Sequence, residues 1–114
     1  MDIEISIRGE SKVGLISVAG ELSGASVDKF RTHVAALLSP RKNVRHYVID
    51  LTHVDFIDSA GLGSLIAILK RIRDLKGDVK LACLQSGPRS VFEVTRTDKF
   101  FDIYDTLNEA MSSF

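Results

Sequence analysis
Three things are scarce in this chain of 114 residues, and each scarcity excludes a class of protein. Cysteine occurs once, at Cys83, so the chain makes no intramolecular disulfide and no zinc cluster. Cys83 lies in the apolar run Val79-Lys80-Leu81-Ala82-Cys83-Leu84 and is expected to be a buried core thiol, which fits a reduced, cytoplasmic compartment. Charge of one sign is not in excess: 15 Lys and Arg balance 15 Asp and Glu. Nucleic-acid binders usually carry a basic surplus, so no nucleic acid is expected among the partners. Long apolar runs are missing as well. The longest, Leu65 to Leu69, is far too short to span a bilayer, so no direct membrane insertion is expected. The start, Met1-Asp2-Ile3-Glu4, has neither the basic nor the apolar region of a signal peptide.

Catalytic motifs are scarce too. Gly61-Leu62-Gly63 is no dinucleotide fingerprint, because Ile66 stands where the third glycine belongs. No Gly-Lys-Ser/Thr phosphate loop occurs. A serine-hydrolase elbow needs glycine two residues before its serine, and Ile57 is there instead. His33, His46 and His53 lack ligand spacing and read as surface or structural residues. Asp50, Asp55 and Asp58 read as loop and capping carboxylates, since the acidic pair and later lysine of a receiver domain are absent. The expectation is a chain that is not an enzyme and needs no metal or cofactor.

What is present is an ordinary globular composition, 45% apolar and 26% charged. The length fits a single domain over residues 1–114, with enough surface to bury for one core. Ile3, Ile5 and Ile7 alternate with polar residues as a half-buried strand, and Val13 to Ala19 reads as a second strand after the turn Gly9 to Lys12. From about Ser26 the period becomes helical, with Val27, Phe30, Val34, Leu37 and Leu38 on one face and Pro40 and Asn43 at the exit. Tyr47 to Leu51 is a buried strand leading to a helix from about Ser59 to Lys76, with Gly77 as its C′ residue. A strand at Val79 to Leu84, a short helix from Ser86-Gly87-Pro88 carrying Val91, Phe92 and Val94, an edge strand at Phe101 to Tyr104 and a helix at Thr106 to Met111 complete the order. That order, β-β-α-β-α-β-α-β-α, implies an α/β fold: a mixed, mostly parallel sheet with an N-terminal hairpin and right-handed crossovers.

One segment stands out, Val54-Asp55-Phe56-Ile57-Asp58-Ser59-Ala60-Gly61-Leu62-Gly63. It places a serine between carboxylates at a helix start, where a plain N-cap is the ordinary role. Two glycines then fall in the first turns of an apolar helix, each at a cost of roughly 1 kcal/mol against alanine. Close approach of another chain is the expected reason. Read at 100° per residue, Leu62, Leu65, Ile66, Leu69 and Ile72 form the core stripe. Ala60, Gly63, Ser64 and Ala67 lie opposite, as a smooth surface of small side chains beside Ser59. Contact with a partner is preferred here over packing beneath a loop of the same chain.

The segment Asp50 to Gly63 resembles the signature of STAS domains, specifically bacterial anti-sigma-factor antagonists, through Asp58-Ser59-Ala60-Gly61-Leu62-Gly63. Gly20-Glu21-Leu22 after the second strand is a second match, and the resemblance covers nearly the whole chain. It implies a STAS-type fold with helices packed on the sheet, and partner switching in signal transduction and transcription regulation. The unmodified form would bind and sequester a GHKL-type serine kinase that doubles as anti-sigma factor. That kinase would phosphorylate Ser59 and be released, and a PP2C-type phosphatase would reverse the mark. The implied partner surface comprises Gly20, Glu21, Leu22, Ser23, Asp55, Asp58, Ser59, Ala60, Gly61, Gly63, Ser64 and Ala67. Ser23 departs from the pattern, because the family commonly has aspartate there. Altered kinase recognition and slow or absent phosphorylation both stay open on that account. So does a constitutive STAS subunit of a membrane transporter, using the same helix face without phosphorylation.

Overall fold
The computed structural model describes residues 2–8, 13–37 and 44–114. An alternating apolar pattern forms β1 (Asp2–Arg8), and a strand buried on both faces forms β2 (Val13–Ala19); the two pair antiparallel. The turn expected at Gly9 to Lys12, Leu38 of the expected helix face and the exit at Pro40 and Asn43 lie outside the described residues. After β2 come α1 (Val27–Leu37), β3 (His46–His53), α2 (Ser59–Asp74), β4 (Asp78–Ala82), α3 (Ser86–Thr95), β5 (Asp102–Tyr104) and α4 (Leu107–Ser112). The five strands lie in sequence order, and every pair after the hairpin is parallel. This is the mixed, mostly parallel sheet expected from the element order. A 3-10 turn at Thr97–Phe100, between α3 and β5, was not expected.

Register decides which residues share a face. Ile16, Ile49, Leu81 and Ile103 align across β2 to β5, on the face covered by α1, α2 and α3. Phe30 and Val34 of α1, Leu65, Leu69 and Ile72 of α2, and Phe92 of α3 complete this larger core. The opposite face holds a smaller cluster, Val13, Leu15, Val48 and Ala82, covered by α4 through Ala110, Leu107 and Met111. α4 is short, and a reciprocal cap fixes its start: the Thr106 hydroxyl donates to Glu109 Oε1 at 2.9 Å while the Glu109 N–H donates to Thr106 Oγ1 at 3.2 Å.

Several expectations need correction. The core stripe of α2 runs through Ile68, which is 6% exposed, while Ile66 is half-buried at its edge. α1 packs against α2 on this side, which widens the buried face to include Ile68 and Ser64. Gly77 is not the C′ residue. Lys76 holds the left-handed position at φ 70°, its N–H donates to the Arg73 carbonyl, and the Gly77 N–H reaches the Ile72 carbonyl at 2.9 Å. Gly77 is thus one position later in this Schellman arrangement. Its missing side chain matters because a Cβ there would collide with the Arg45 carbonyl. Cys83 is half-buried beside the smaller cluster, in a left-handed backbone conformation at φ 63° after β4. Of the three apolar residues expected on the α3 helix, Phe92 is buried and Val91 half-buried, while Val94 is 84% exposed.

Candidate functional site
The C-terminal ends of β2 and β3 carry two loops that run on side by side beyond the sheet. The Gly20 N–H donates to the His53 carbonyl, the Leu22 N–H to the Phe56 carbonyl at 3.0 Å, and the Asp58 N–H back to the Leu22 carbonyl at 3.3 Å. Leu22 and Ile57 form a parallel bridge and are both buried. This zipper extends the β2–β3 pairing and carries residues 20–26 to the start of α2. The loop before α1 is also closed internally: the Ser26 hydroxyl donates to the Glu21 carbonyl at 2.6 Å and accepts from the Ser23 N–H at 3.0 Å.

Asp58, not Ser59, caps α2. Its Oδ1 accepts from the Gly61 N–H at 2.9 Å and its Oδ2 from the Gly24 N–H at 3.0 Å. These two bonds, with Gly61 the stronger influence, hold the Asp58 carboxyl below the usual carboxylate range. One side chain therefore starts the helix and ties down the neighbouring loop. Ser59 follows as the first helical residue and is exposed, and its hydroxyl has no hydrogen bond among the described residues. Asp50 accepts from the Thr52 N–H and hydroxyl, as a loop carboxylate would. The third loop joins the row where Gln85 Nε2 donates to the Thr52 carbonyl at 2.7 Å.

The two helix glycines answer different demands. A Cβ on Gly61 would collide with the Leu22 carbonyl, so this glycine admits the chain's own zippered loop rather than another chain. A Cβ on Gly63 would meet nothing within 4 Å. The anticipated smooth face divides accordingly. Ala60, Gly63 and Ala67 are exposed, as are Glu21, Asp55 and Ser59. Ser64 is buried, with its hydroxyl donating to the Gly61 carbonyl at 2.6 Å. Leu22, Ser23, Gly61 and Ser64 thus shape the surface from beneath, and Gly20 is half-buried at its margin. Sequence reasoning passed over two participants: Gly24, whose N–H reaches Asp58, and Phe56, which is 48% exposed between the buried Val54 and Ile57. An aromatic residue flanked by Asp55 and Asp58 was the signal available for Phe56.

Comparison with known proteins decides the family. The model of the STAS domain matches residues 4–110. This chain belongs to the STAS family. Among its relatives is the anti-sigma F factor antagonist of Paenibacillus polymyxa, 23% identical over 98% of this chain and 95% of that protein. The crystal structure of an anti-sigma factor antagonist from Mycobacterium paratuberculosis is 25% identical, with a TM-score of 0.81 over 98% of this chain and 93% of that one. The Bacillus cell fate determinant SpoIIAA in its phosphorylated form shares the fold at 18% identity, with a TM-score of 0.71 over 97% of both chains. In this STAS chain the Asp-Ser-Ala-Gly-Leu-Gly motif spans the cap, the exposed serine, the glycine under the loop and the open glycine.

Proposed function
We propose that this STAS chain, as one domain over residues 1–114, is a phosphorylation-controlled partner-switching regulator in the cytoplasm. The unmodified form binds and sequesters a GHKL-type serine kinase that acts as anti-sigma factor, and phosphorylation of Ser59 releases it. A PP2C-type phosphatase restores the unmodified form. The chain contributes a surface and a hydroxyl, while ATP and catalytic groups belong to the kinase.

The observation that carries this reading is the division of labour between Asp58 and Ser59. The carboxylate caps the helix, so the exposed serine is free for modification without loss of the cap. Phosphate would add roughly −1.5 to −2 charge at neutral pH. The α2 N-terminus tolerates an anion through its dipole. The added charge would stand beside Asp55 and Asp58 and next to the open surface at Ala60 and Gly63. A partner fitted to small neutral groups would then meet both bulk and repulsion. The phosphorylated relative of the same fold supports the view that the domain survives the mark.

The test captures partners from lysate of the source cells with wild type, Ser59→Ala and Ser59→Asp, with intact-mass analysis of the wild-type chain. A serine kinase held by wild type and Ser59→Ala, lost with Ser59→Asp, and a phosphorylated wild-type fraction are expected. Equal retention by all three variants and no phosphate would contradict the reading.

A further inference from the structure
The outer surface between α1 and α2 is not filled. A groove of about 150 Å³ runs there, with Val34 and Ile68 at its base and Ala35 and Ala67 on its walls. Each wall adds one arginine, Arg31 from α1 and Arg71 from α2. Both arginines are exposed, and among the described residues neither has an ion-pair partner, whereas Arg73 and Arg89 do. No acidic residue lines the groove. Ser64 also borders it, but it is buried and its only O–H donates to the Gly61 carbonyl, so it offers no donor to a carboxylate. The groove therefore combines an apolar base with two unbalanced positive charges. A cavity of this volume accepts a benzene-sized group, which is the size of one bulky side chain.

We propose that this groove seats an acidic, apolar-anchored segment of the protein that engages Ser59, with one apolar side chain between the helices and flanking carboxylates on Arg31 and Arg71. This rests on the partner-switching reading, because it assigns the occupant to the partner held at Ser59. Ala67 joins the groove to the open Gly63 and Ala60 surface, so one partner could cover both. The charge pattern also sets a direction. Glu21, Asp55 and Asp58 surround the start of α2, while the groove is positive. The acidic part of the segment therefore lies away from Ser59. Electrostatic matching of this kind fixes register and suppresses wrong partners.

The experiment titrates the full chain, by amide NMR, with three synthetic peptides. The first carries a leucine flanked by glutamates, the second replaces those glutamates by lysines, and the third replaces the leucine by alanine. The first should bind saturably and shift the Ala35 and Ala67 amides. The other two should bind roughly tenfold more weakly or not at all. The double variant Arg31→Glu/Arg71→Glu should reverse the preference between the glutamate and lysine peptides. Its thermal unfolding should match wild type, since both side chains are exposed and have no ion-pair partner among the described residues. No binding of the first peptide, equal binding of all three, shifts located elsewhere, or an unchanged preference in the folded double variant would overturn the proposal. The peptides do not depend on Ser59, so failure here leaves the Ser59 capture experiment standing, and failure there leaves this titration interpretable.

Discussion
Two sides of the same helix turn teach different lessons. Beneath the first turns of α2, Gly61 lies against the Leu22 carbonyl with no room for a methyl group. On the outer side, two residues later, Gly63 has open space around it. The first glycine serves the fold, because the loop extending β2 must pass directly over the helix start. The second has no such contact among the described residues, and it costs helix stability. The inner side is a structural demand, and the outer side is open among the described residues, which is where the proposed partner surface lies.

Substitutions on the two sides should diverge, and the largest effect belongs to the inner one. Gly61→Ala forces a methyl group into backbone and should lower stability by about 3 kcal/mol or more, measured by chemical denaturation. If it were tolerated, the zipper between residues 20–24 and 54–58 would not be the close packing described. Asp58→Ala removes both the helix cap and the tie to Gly24, and should lower the melting temperature by several degrees. That loss has a defined pH dependence. The folded-state pKa of Asp58 is depressed, so its contribution is present above the unfolded value of about 3.9. It fades as pH falls through the lower folded value. The gap between wild type and Asp58→Ala should therefore be constant near neutrality and close in strong acid. A gap that widens on acidification would contradict the assigned role.

The outer side should give smaller effects on stability. Gly63→Ala should stabilise the chain by about 0.5–1 kcal/mol, since the methyl group enters open space in a helix interior. Partner capture by Gly63→Ala should nevertheless fall, if this surface takes a close-fitting partner. Ser59→Ala should change stability by less than about 0.5 kcal/mol, because the hydroxyl is not the cap. A loss as large as that of Asp58→Ala would show that Ser59 has a structural role after all.

Much of the architecture was legible in the sequence because apolar periodicity reports burial directly. The Phe30–Val34 pair of α1 and the Leu62–Leu65–Leu69–Ile72 stripe of α2 each mark a face that had to be covered. What stayed hidden depended on neighbours distant in sequence. Two adjacent residues, Asp58 and Ser59, could both cap a helix, and only the backbone path of residues 22–24 makes the carboxylate the better placed. Gly77 looked like a conformational stop, but the Arg45 carbonyl explains it. Ser64 looked outward by angle, yet α1 packs against that part of α2 and buries it. The motif around Ser59 was therefore readable as a signature before its parts could be separated into cap, exposed serine, packing glycine and open glycine.

The most direct test of the account compares the unmodified chain with the same chain carrying phosphoserine at position 59. The measurement is affinity for the kinase captured by the unmodified form, with thermal unfolding of both chains recorded alongside. The account predicts that binding weakens by at least about tenfold while the melting temperature stays close to that of the unmodified chain. Equal affinity would contradict the switch. Lost affinity together with a collapsed melting temperature would contradict the separation of fold and switch between the two sides of α2.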